Sequence, residues 1–281
     1  MKKKIDFRKA LFLTVVYVIV VLGALVCLFP LYWQIRSSLM TNTEIFIMPP
    51  RLFPAKVMWE NYPKALSAFP FWDYLRNTMT ILIPAFCGTV LTSILTAYAF
   101  ARLNFPGRNI WFLLAIASMF LPGVVTMIPT YVMWGKLHLT NSFIPLILPA
   151  WFGGGAFNIF LLRQFFRGIP MSMDDAARID GAGHMRILFQ VLLPSLRPVV
   201  ITISLFTFMN LWNDYFGPLI YLNDESLFTL ALGLVQFRGS YVSQWHYLMA
   251  ASTVMIFPMI VVFFIGQKYF IEGISFTGMK G

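Results

Sequence analysis

The sequence predicts an all-α integral membrane protein with six transmembrane helices. Of its 281 residues, 59% are hydrophobic and only 11% are charged, and the apolar residues form long uninterrupted blocks. Soluble domains carry about 25% charged residues, so a soluble fold of this length would lack the polar surface needed to face water. Continuous apolar blocks also favour helices over the alternating pattern of a membrane barrel.

Six blocks are long enough to cross a bilayer, which takes about 20 helical residues. They are predicted at residues 11–33, 77–101, 110–134, 143–162, 199–222 and 247–270. The first block follows three lysines, as in a signal peptide, but it is too long for the apolar region of one. We therefore expect an uncleaved first helix whose amino end is inside.

The basic residues set the orientation of these helices. With the amino end inside, the predicted cytoplasmic segments hold 14 of the 21 Lys and Arg residues, and Lys and Arg collect on the cytoplasmic side of membranes. The same placement explains the net charge of +10 without nucleic acid as a partner. Both termini and the 163–198 loop are expected in the cytoplasm.

The sequence lacks the signatures of several other sites. Cys27 and Cys87 lie inside apolar blocks, without the spacing of metal ligands. The glycines at 153–155 follow no strand and lack the lysine of a P-loop, so they favour close helix packing. The spans hold no paired carboxylates and no His-Glu-x-x-His, which argues against an intramembrane enzyme. We predict no catalytic, cofactor-binding or metal-binding residues.

Proline and glycine are expected to interrupt spans at Pro30, Pro84, Pro122, Pro129, Pro149, 153–155, Pro218 and Pro258.

The long inner loop contains a predicted surface helix. Pro170 marks its start, and Ser172 is placed to cap it, with Asp175 three residues later as in a capping box. Asp174 and Asp175 suit the positive end of a helix. Gly181 can end the helix in a left-handed turn. Taken alone, these residues leave an ordinary connector at the membrane surface equally open.

The order of residues in this loop resembles the EAA loop of ATP-binding-cassette (ABC) importer permeases. That motif reads Glu-Ala-Ala, three residues, Gly, nine residues, Ile, any residue, Leu-Pro. Here Asp175-Ala176-Ala177, Gly181 and Val191-x-Leu193-Pro194 meet every spacing, with Asp for Glu and Val for Ile. The resemblance implies the type I ABC importer permease fold and a loop that couples to a separate ATPase subunit. The implied coupling residues are Asp174, Asp175, Ala176, Ala177, Arg178, Asp180, Gly181 and Pro194. Ala176, Ala177 and Ile179 are expected to form one small, smooth face.

Further stretches are similar to the carbohydrate-uptake (MalG-like) branch of these permeases. They are 178–182 (Arg-Ile-Asp-Gly-Ala), 212–214 (Trp-Asn-Asp) and the glycine-rich end 272–281, where Phe276 departs from the usual small residues. The resemblance implies three regions: an N-tail, first helix and outer loop at 1–70, a type 1 core at 71–270 and a cytoplasmic tail at 271–281. Thr277, Gly278 and Lys280 in that tail are expected to contact the ATPase.

The resemblance also implies partners and a location. The chain is expected in the inner membrane of a bacterial or archaeal cell. There it would pair with a second, homologous permease, an ATPase dimer and an extracytoplasmic solute-binding protein that delivers a sugar. The chain itself is expected to be no enzyme and to bind no cofactor. It has no Walker A sequence, so ATP-Mg would bind to the ATPase partner.

A polar cluster in the fifth block suggests a solute path. It comprises Asn210, Trp212, Asn213 and Asp214, and a buried polar group there costs several kcal/mol unless it is satisfied. Either a helix-packing network or an aqueous sugar path would satisfy it. Two other functions stay open: an importer permease for another small polar solute, and an ion-driven secondary transporter. Secondary transporters usually carry ionisable residues at midplane, whereas Asp214 stands near a span end.

The predicted orientation can be tested with reporter fusions. Fusions after Gly281 and within the outer loop at 49–62 should report opposite sides of the membrane, because 14 of the 21 basic residues lie on the predicted inner side. A phosphatase and a fluorescent-protein reporter at each site would measure this. Activity of both fusions on one side would contradict the six-span topology.

Overall fold

The computed structural model of the protein describes residues 7–237 and 244–278, and that part of the chain is helical without strands. Ten α-helices of six or more residues lie in this part of the chain. They are α1 (Phe7–Ser38), α2 (Asn61–Ser67), α3 (Phe71–Arg102), α4 (Arg108–Ala117), α5 (Gly123–Lys136), α6 (Ala156–Gly168), α7 (Ser172–Ile179), α8 (Arg197–Trp212), α9 (Phe216–Tyr221) and α10 (Trp245–Gly278). Single turns and short 3₁₀ or π segments connect them.

Four stretches are long and apolar enough to cross a membrane. They are Leu11–Ser38, Phe71–Arg102, Ile144–Gly168 and Trp245–Tyr269. Two bent pairs raise the number to six if each pair is one span. These are Arg108–Phe120 with Gly123–Lys136, bent by 102°, and His184–Ser195 with Arg197–Trp212, bent by 87°. The all-α membrane fold is confirmed, although not every predicted block is one straight helix.

The third predicted block, 110–134, is broken where we expected one helix. A 3₁₀ turn, Ser118–Phe120, follows α4, and Leu121 is then extended, with φ −78° and ψ 118°. Pro122 precedes the first residue of α5. A proline disfavours the helical conformation of the residue before it, so Pro122 accounts for the break.

Four of the other prolines do not interrupt their helices, and for these four the expectation was wrong, whereas Pro149 lies in the 3₁₀ turn Leu148–Trp151. Pro30, Pro84, Pro129 and Pro258 lie inside α1, α3, α5 and α10 respectively. A proline removes one backbone donor from a helix. Neighbouring helices and side chains in a membrane protein can satisfy the carbonyl that loses its partner, so these helices continue.

The described chain forms two compact units. One comprises residues 7–69, 234–237 and 244–256, and the other comprises residues 70–233 and 257–278. In the first unit, α2 is fastened to the end of α1 by hydrogen bonds. The Asn61 side-chain amide donates to the carbonyl oxygens of Ser38 (2.9 Å) and Met40 (2.8 Å). The Ser38 and Tyr62 hydroxyls lie 2.8 Å apart. The bond to Ser38 satisfies a carbonyl group that the end of α1 leaves without a helical partner, and the others fix the segment that follows α1.

The second unit is built around α3. Its core joins α3, α6, the 184–195 segment and α8 through buried apolar side chains, among them Tyr98, Phe166, Leu188 and Ile203. Helices α6 and α8 both pack against α3. Many apolar side chains elsewhere are exposed in the isolated chain, as expected where lipid or another subunit covers the surface.

A glycine segment packs directly on α3. Gly153, Gly154 and Gly155 all have positive φ, at 103°, 66° and 88°, a conformation that glycine adopts without steric cost. The Ser93 hydroxyl on α3 donates to the Gly154 carbonyl oxygen over 2.7 Å. A Cβ atom at Gly154 would lie 2.6 Å from the Thr89 carbonyl oxygen. The predicted role in close packing is therefore confirmed for Gly154, whereas Gly153 and Gly155 have no close neighbour on α3.

Alanine at Gly154 should destabilise the protein more than alanine at Gly153. Both substitutions meet the cost of positive φ, about 1–2 kcal/mol. Only the Gly154 Cβ collides with α3, because Gly153 has open space around it. Overpacking adds about 1–3 kcal/mol. Thermal unfolding in detergent should therefore show a lower midpoint for Gly154→Ala than for Gly153→Ala. Equal midpoints would contradict the close approach.

Candidate functional site

The inner loop folds as a short helix, a sharp turn and a second helical stretch. Helix α7 begins at Ser172, and its N-cap residue, Met171, makes no side-chain capping bond. The expected cap by Ser172 is therefore wrong, because Ser172 is already the first helical residue. Asp174 and Asp175 lie in the first turn, where carboxylates favour the positive end of the helix dipole.

Gly181 ends α7 in a left-handed turn, as the sequence predicts. Its φ is +78°. The Gly181 N–H donates to the Arg178 carbonyl oxygen and the Ala182 N–H to that of Ala177, each over 2.9 Å. This pair of bonds is a Schellman motif, the usual way in which glycine closes a helix. The second stretch follows as His184–Arg186, the π segment Ile187–Leu192 and Leu193–Ser195, which contains Pro194.

Helix α7 has one buried side and one exposed side. Asp174 is 0% exposed and Ala177 is 9% exposed, while Asp175 and Ala176 are exposed. Ile179 is 87% exposed. The single smooth face expected for Ala176, Ala177 and Ile179 was therefore wrong: Ala177 packs in the core of the second unit. The surface left open at the end of the loop comprises Asp175, Ala176, Arg178, Ile179, Asp180 and Gly181. We call this set the open loop surface.

A buried charge pair holds the inner side of α7. Arg102, the last residue of α3, places its Nε 3.5 Å from Asp174 Oδ2, and the two side chains are 3% and 0% exposed. The contact is an ion pair without hydrogen-bond geometry, since neither Asp174 oxygen has a hydrogen-bond partner in the described chain. Removing one member of such a pair costs about 3–5 kcal/mol, because the other charge stays buried.

This pair was not predicted from the sequence. Arg102 counted only among the inner charges, and Asp174 was expected at a helix end without a partner. One signal was available: Asp174 lies three residues before Ala177, so the two share a face of α7. The partner of Asp174 is 72 residues away in the chain, and local patterns do not reveal such a contact.

A second group of polar side chains lines an open cavity of about 480 Å³ in the second unit. Thr89 from α3, Asn158 from α6, and Thr207 and Asn210 from α8 face it, among apolar neighbours such as Phe157. Asn158 donates to the Gly154 carbonyl oxygen over 3.1 Å and lies 3.4 Å from the Thr207 hydroxyl. Amide and hydroxyl groups therefore meet in one cavity from three helices.

Comparison with known proteins identifies the family. Residues 88–275 match the family described as binding-protein-dependent transport system inner membrane component. This match covers about two thirds of the chain, including the loop and the cavity. The chain belongs to this family. It is therefore a permease component of a binding-protein-dependent transport system in the inner membrane.

Three curated relatives of this permease have similar lengths, each 32% identical to it. The arabinooligosaccharides transport system permease protein AraQ of Halalkalibacterium halodurans matches over 92% of this chain and 93% of its own length. The sn-glycerol-3-phosphate transport system permease protein UgpE of Pectobacterium atrosepticum matches over 92% and 94%. The sulfoquinovosyl glycerol transport system permease protein SmoH of Agrobacterium fabrum matches over 90% and 89%.

A solved structure supports the permease fold. One chain of a bacterial ABC transporter involved in the import of the acidic polysaccharide alginate superposes with a TM-score of 0.82. The match covers 96% of this permease and 100% of that chain, at 24% sequence identity. At this identity the likeness concerns the fold, which is that of an ABC importer permease.

Of the four path residues predicted for this permease, only Asn210 lines the cavity. Trp212 is 3% exposed and stacks on Phe208 at 5.8 Å. The Asn213 side chain donates to the Met209 carbonyl oxygen (2.9 Å), and Asp214 Oδ1 accepts from the Gly217 N–H (3.0 Å). These contacts attach Trp212 and Asn213 to the last turns of α8, and Asp214 to the start of α9. Thr89, Asn158 and Thr207 were missed, although each is a polar residue within an apolar block.

The tail of the permease lies at the edge of the described chain. Thr277 and Gly278 are the last residues of α10, and Lys280 lies outside the described residues. Elsewhere, Cys27 and Cys87 are free. The described residues contain no cluster of three metal-ligating side chains.

Proposed function

We propose that this permease forms half of the path by which an ABC importer takes up an uncharged, hydroxyl-rich solute, a sugar or oligosaccharide. The cavity carries this proposal. Its amide and hydroxyl groups can exchange hydrogen bonds with sugar hydroxyls, and its aromatic side chains offer apolar faces. AraQ is named for arabinooligosaccharides, which are uncharged and rich in hydroxyl groups, and this agrees with the choice. SmoH is also named for a sugar-containing solute, although its sulfoquinovosyl group carries a sulfonate.

The cavity also favours an uncharged solute over a phosphorylated one. UgpE is named for sn-glycerol-3-phosphate transport, and proteins commonly bind phosphate through Arg or Lys. The side chains that line this cavity include no charged residue. A phosphate in this cavity would have to find its compensating charge in the other half of the path, because burying it without one is costly.

The other half of the path would come from a second, homologous permease subunit. An external solute-binding protein would deliver the solute, and a separate ATPase dimer would hydrolyse ATP. The open loop surface is the proposed contact with that ATPase, since it combines an exposed Ile179 with charged neighbours at a fixed turn. Thr277, Gly278 and Lys280 at the carboxyl end are proposed to reach the same partner.

Valine at Gly181 should weaken ATPase binding and uncouple hydrolysis from transport. A β-branched residue at φ +78° costs about 1–2 kcal/mol or forces the turn to change. Either result moves the open loop surface. Co-purification of the ATPase with the permease, alongside solute uptake, would measure the effect. Insertion in the membrane should be unchanged.

Gly183→Val is the matched control for this experiment. Gly183 lies two residues away, has φ −74° and also has open space around it. Valine at 183 should therefore leave ATPase recovery near the level of the unmodified permease. Equal recovery and undiminished uptake for Gly181→Val would rule out this loop as the coupling element.

Leucine at Asn210 should lower solute uptake while the transporter still assembles. A lost hydrogen bond to the solute costs about 1 kcal/mol, which corresponds to about a fivefold lower rate. Asn213→Leu is the control, because Asn213 bonds to a carbonyl of its own helix and does not line the cavity. Uptake per assembled transporter should fall only for Asn210→Leu. Equal uptake by both variants would refute the proposed path.

A further inference from the structure

The side chain of Arg102 touches the inner loop at three points on both sides of the start of α7. Its Nη2 donates to the Ile169 carbonyl oxygen over 2.9 Å, and its Nη1 lies 2.7 Å from Met171 Sδ. Its Nε pairs with Asp174 in the first turn of the helix. Because the guanidinium is planar and its donors are fixed in direction, these contacts define both the position and the rotation of α7.

One turn earlier on α3, Tyr98 holds the other side of the loop. Its hydroxyl lies 3.2 Å from His184 Nδ1, at the start of the second helical stretch. Residues four apart share one face of a helix, so Tyr98 and Arg102 reach the loop from the same face of α3. Ala177 of α7 belongs to the same buried core as Tyr98. The Gly181 turn therefore projects between two attachments to a single helix.

The same helix borders the solute cavity. Thr89 lines the cavity 13 residues before Arg102, a distance of about 20 Å along a helix. Between them, the Ser93 hydroxyl bonds to the Gly154 carbonyl oxygen. One continuous helix therefore runs from the loop to a wall of the cavity.

Stability gives little reason for a charge pair at this place. Burying two charges costs desolvation, and apolar side chains of similar volume often do as well or better. What a directional pair adds is one defined geometry, whereas apolar contact is non-directional. The Arg102 contacts are therefore suited to passing a displacement of α7 on to α3, because they keep the two helices in one relative position.

We propose that Arg102 is a positioning residue that joins α7 to α3, so that the ATPase moves α7 and one wall of the solute cavity as a single body. This inference rests on the proposed function of the open loop surface as the ATPase contact. Arg102 itself contacts neither the ATPase nor the solute in this scheme. Its loss should leave docking intact and disturb the transfer of motion.

The test uses the assembled transporter in proteoliposomes, with the ATPase, the second permease and the solute-binding protein present. Arg102→Met combined with Asp174→Leu removes both charges and fills the space, so no buried charge is left unpaired. We expect normal ATPase recovery and continued ATP hydrolysis. The number of ATP molecules hydrolysed per solute imported should rise at least about fivefold, the low end of typical coupling between two sites.

Two further variants sharpen the result. Arg108→Ala removes a charge at the same end of the membrane. Within the described residues Arg108 bonds only locally, to Leu103 and Asn104, so the ratio of hydrolysis to uptake should stay unchanged in this variant. Arg102→Lys keeps the charge beside Asp174 without the planar fork, and it should restore the ratio in part.

Two outcomes would overturn the proposal. The first is a double variant that assembles normally and keeps its ratio within about twofold of the unmodified transporter, below the range of typical coupling. The second is loss of ATPase recovery in the double variant, since the pair would then act in assembly or docking. Failure of the loop as the ATPase contact is recognised separately, by normal ATPase recovery with Gly181→Val.

Discussion

The close contact between α3 and the glycine segment 153–155 is the constraint on which the second unit depends. Ser93 bonds to the Gly154 carbonyl oxygen, and no Cβ atom would fit between Gly154 and α3. In lipid there is no water to form hydrogen bonds with the N–H and C=O groups of an irregular segment. Such a segment must therefore find its hydrogen-bond partners within the protein. Helix α3 supplies them, and the break before α6 is thereby placed beside the cavity.

The cavity and the inner loop lie at opposite ends of α6, the helix that follows this contact. Asn158 lies on the first turn of α6, directly after the glycines, and its amide bonds back to the Gly154 carbonyl oxygen. The other end of α6 leads into the inner loop, where Arg102 of α3 holds α7. Cavity and loop are therefore tied to one helix at two places, and α6 connects them a second time.

The two sites differ in the physics that shapes them. The cavity consists of neutral polar groups in apolar surroundings, which is the usual composition of a small-molecule pocket. The loop depends on a buried charge pair, which fixes the position of α7, and on a glycine that allows the turn at positive φ.

Local patterns in the chain were enough to predict the features that arise within a few residues. Continuous apolar blocks specify the all-α membrane fold, and the spacing around Gly181 specifies the turn that ends α7. Other features became visible only in the folded molecule. In the folded molecule Arg102 pairs with Asp174. Asn158 and Thr207 line the same cavity as Asn210, and the Asp214 carboxylate accepts a bond from the Gly217 N–H at a helix end. Four helices also continue through their prolines. These outcomes depend on contacts between segments distant in the chain, which satisfy or exclude polar groups in ways that no local pattern records.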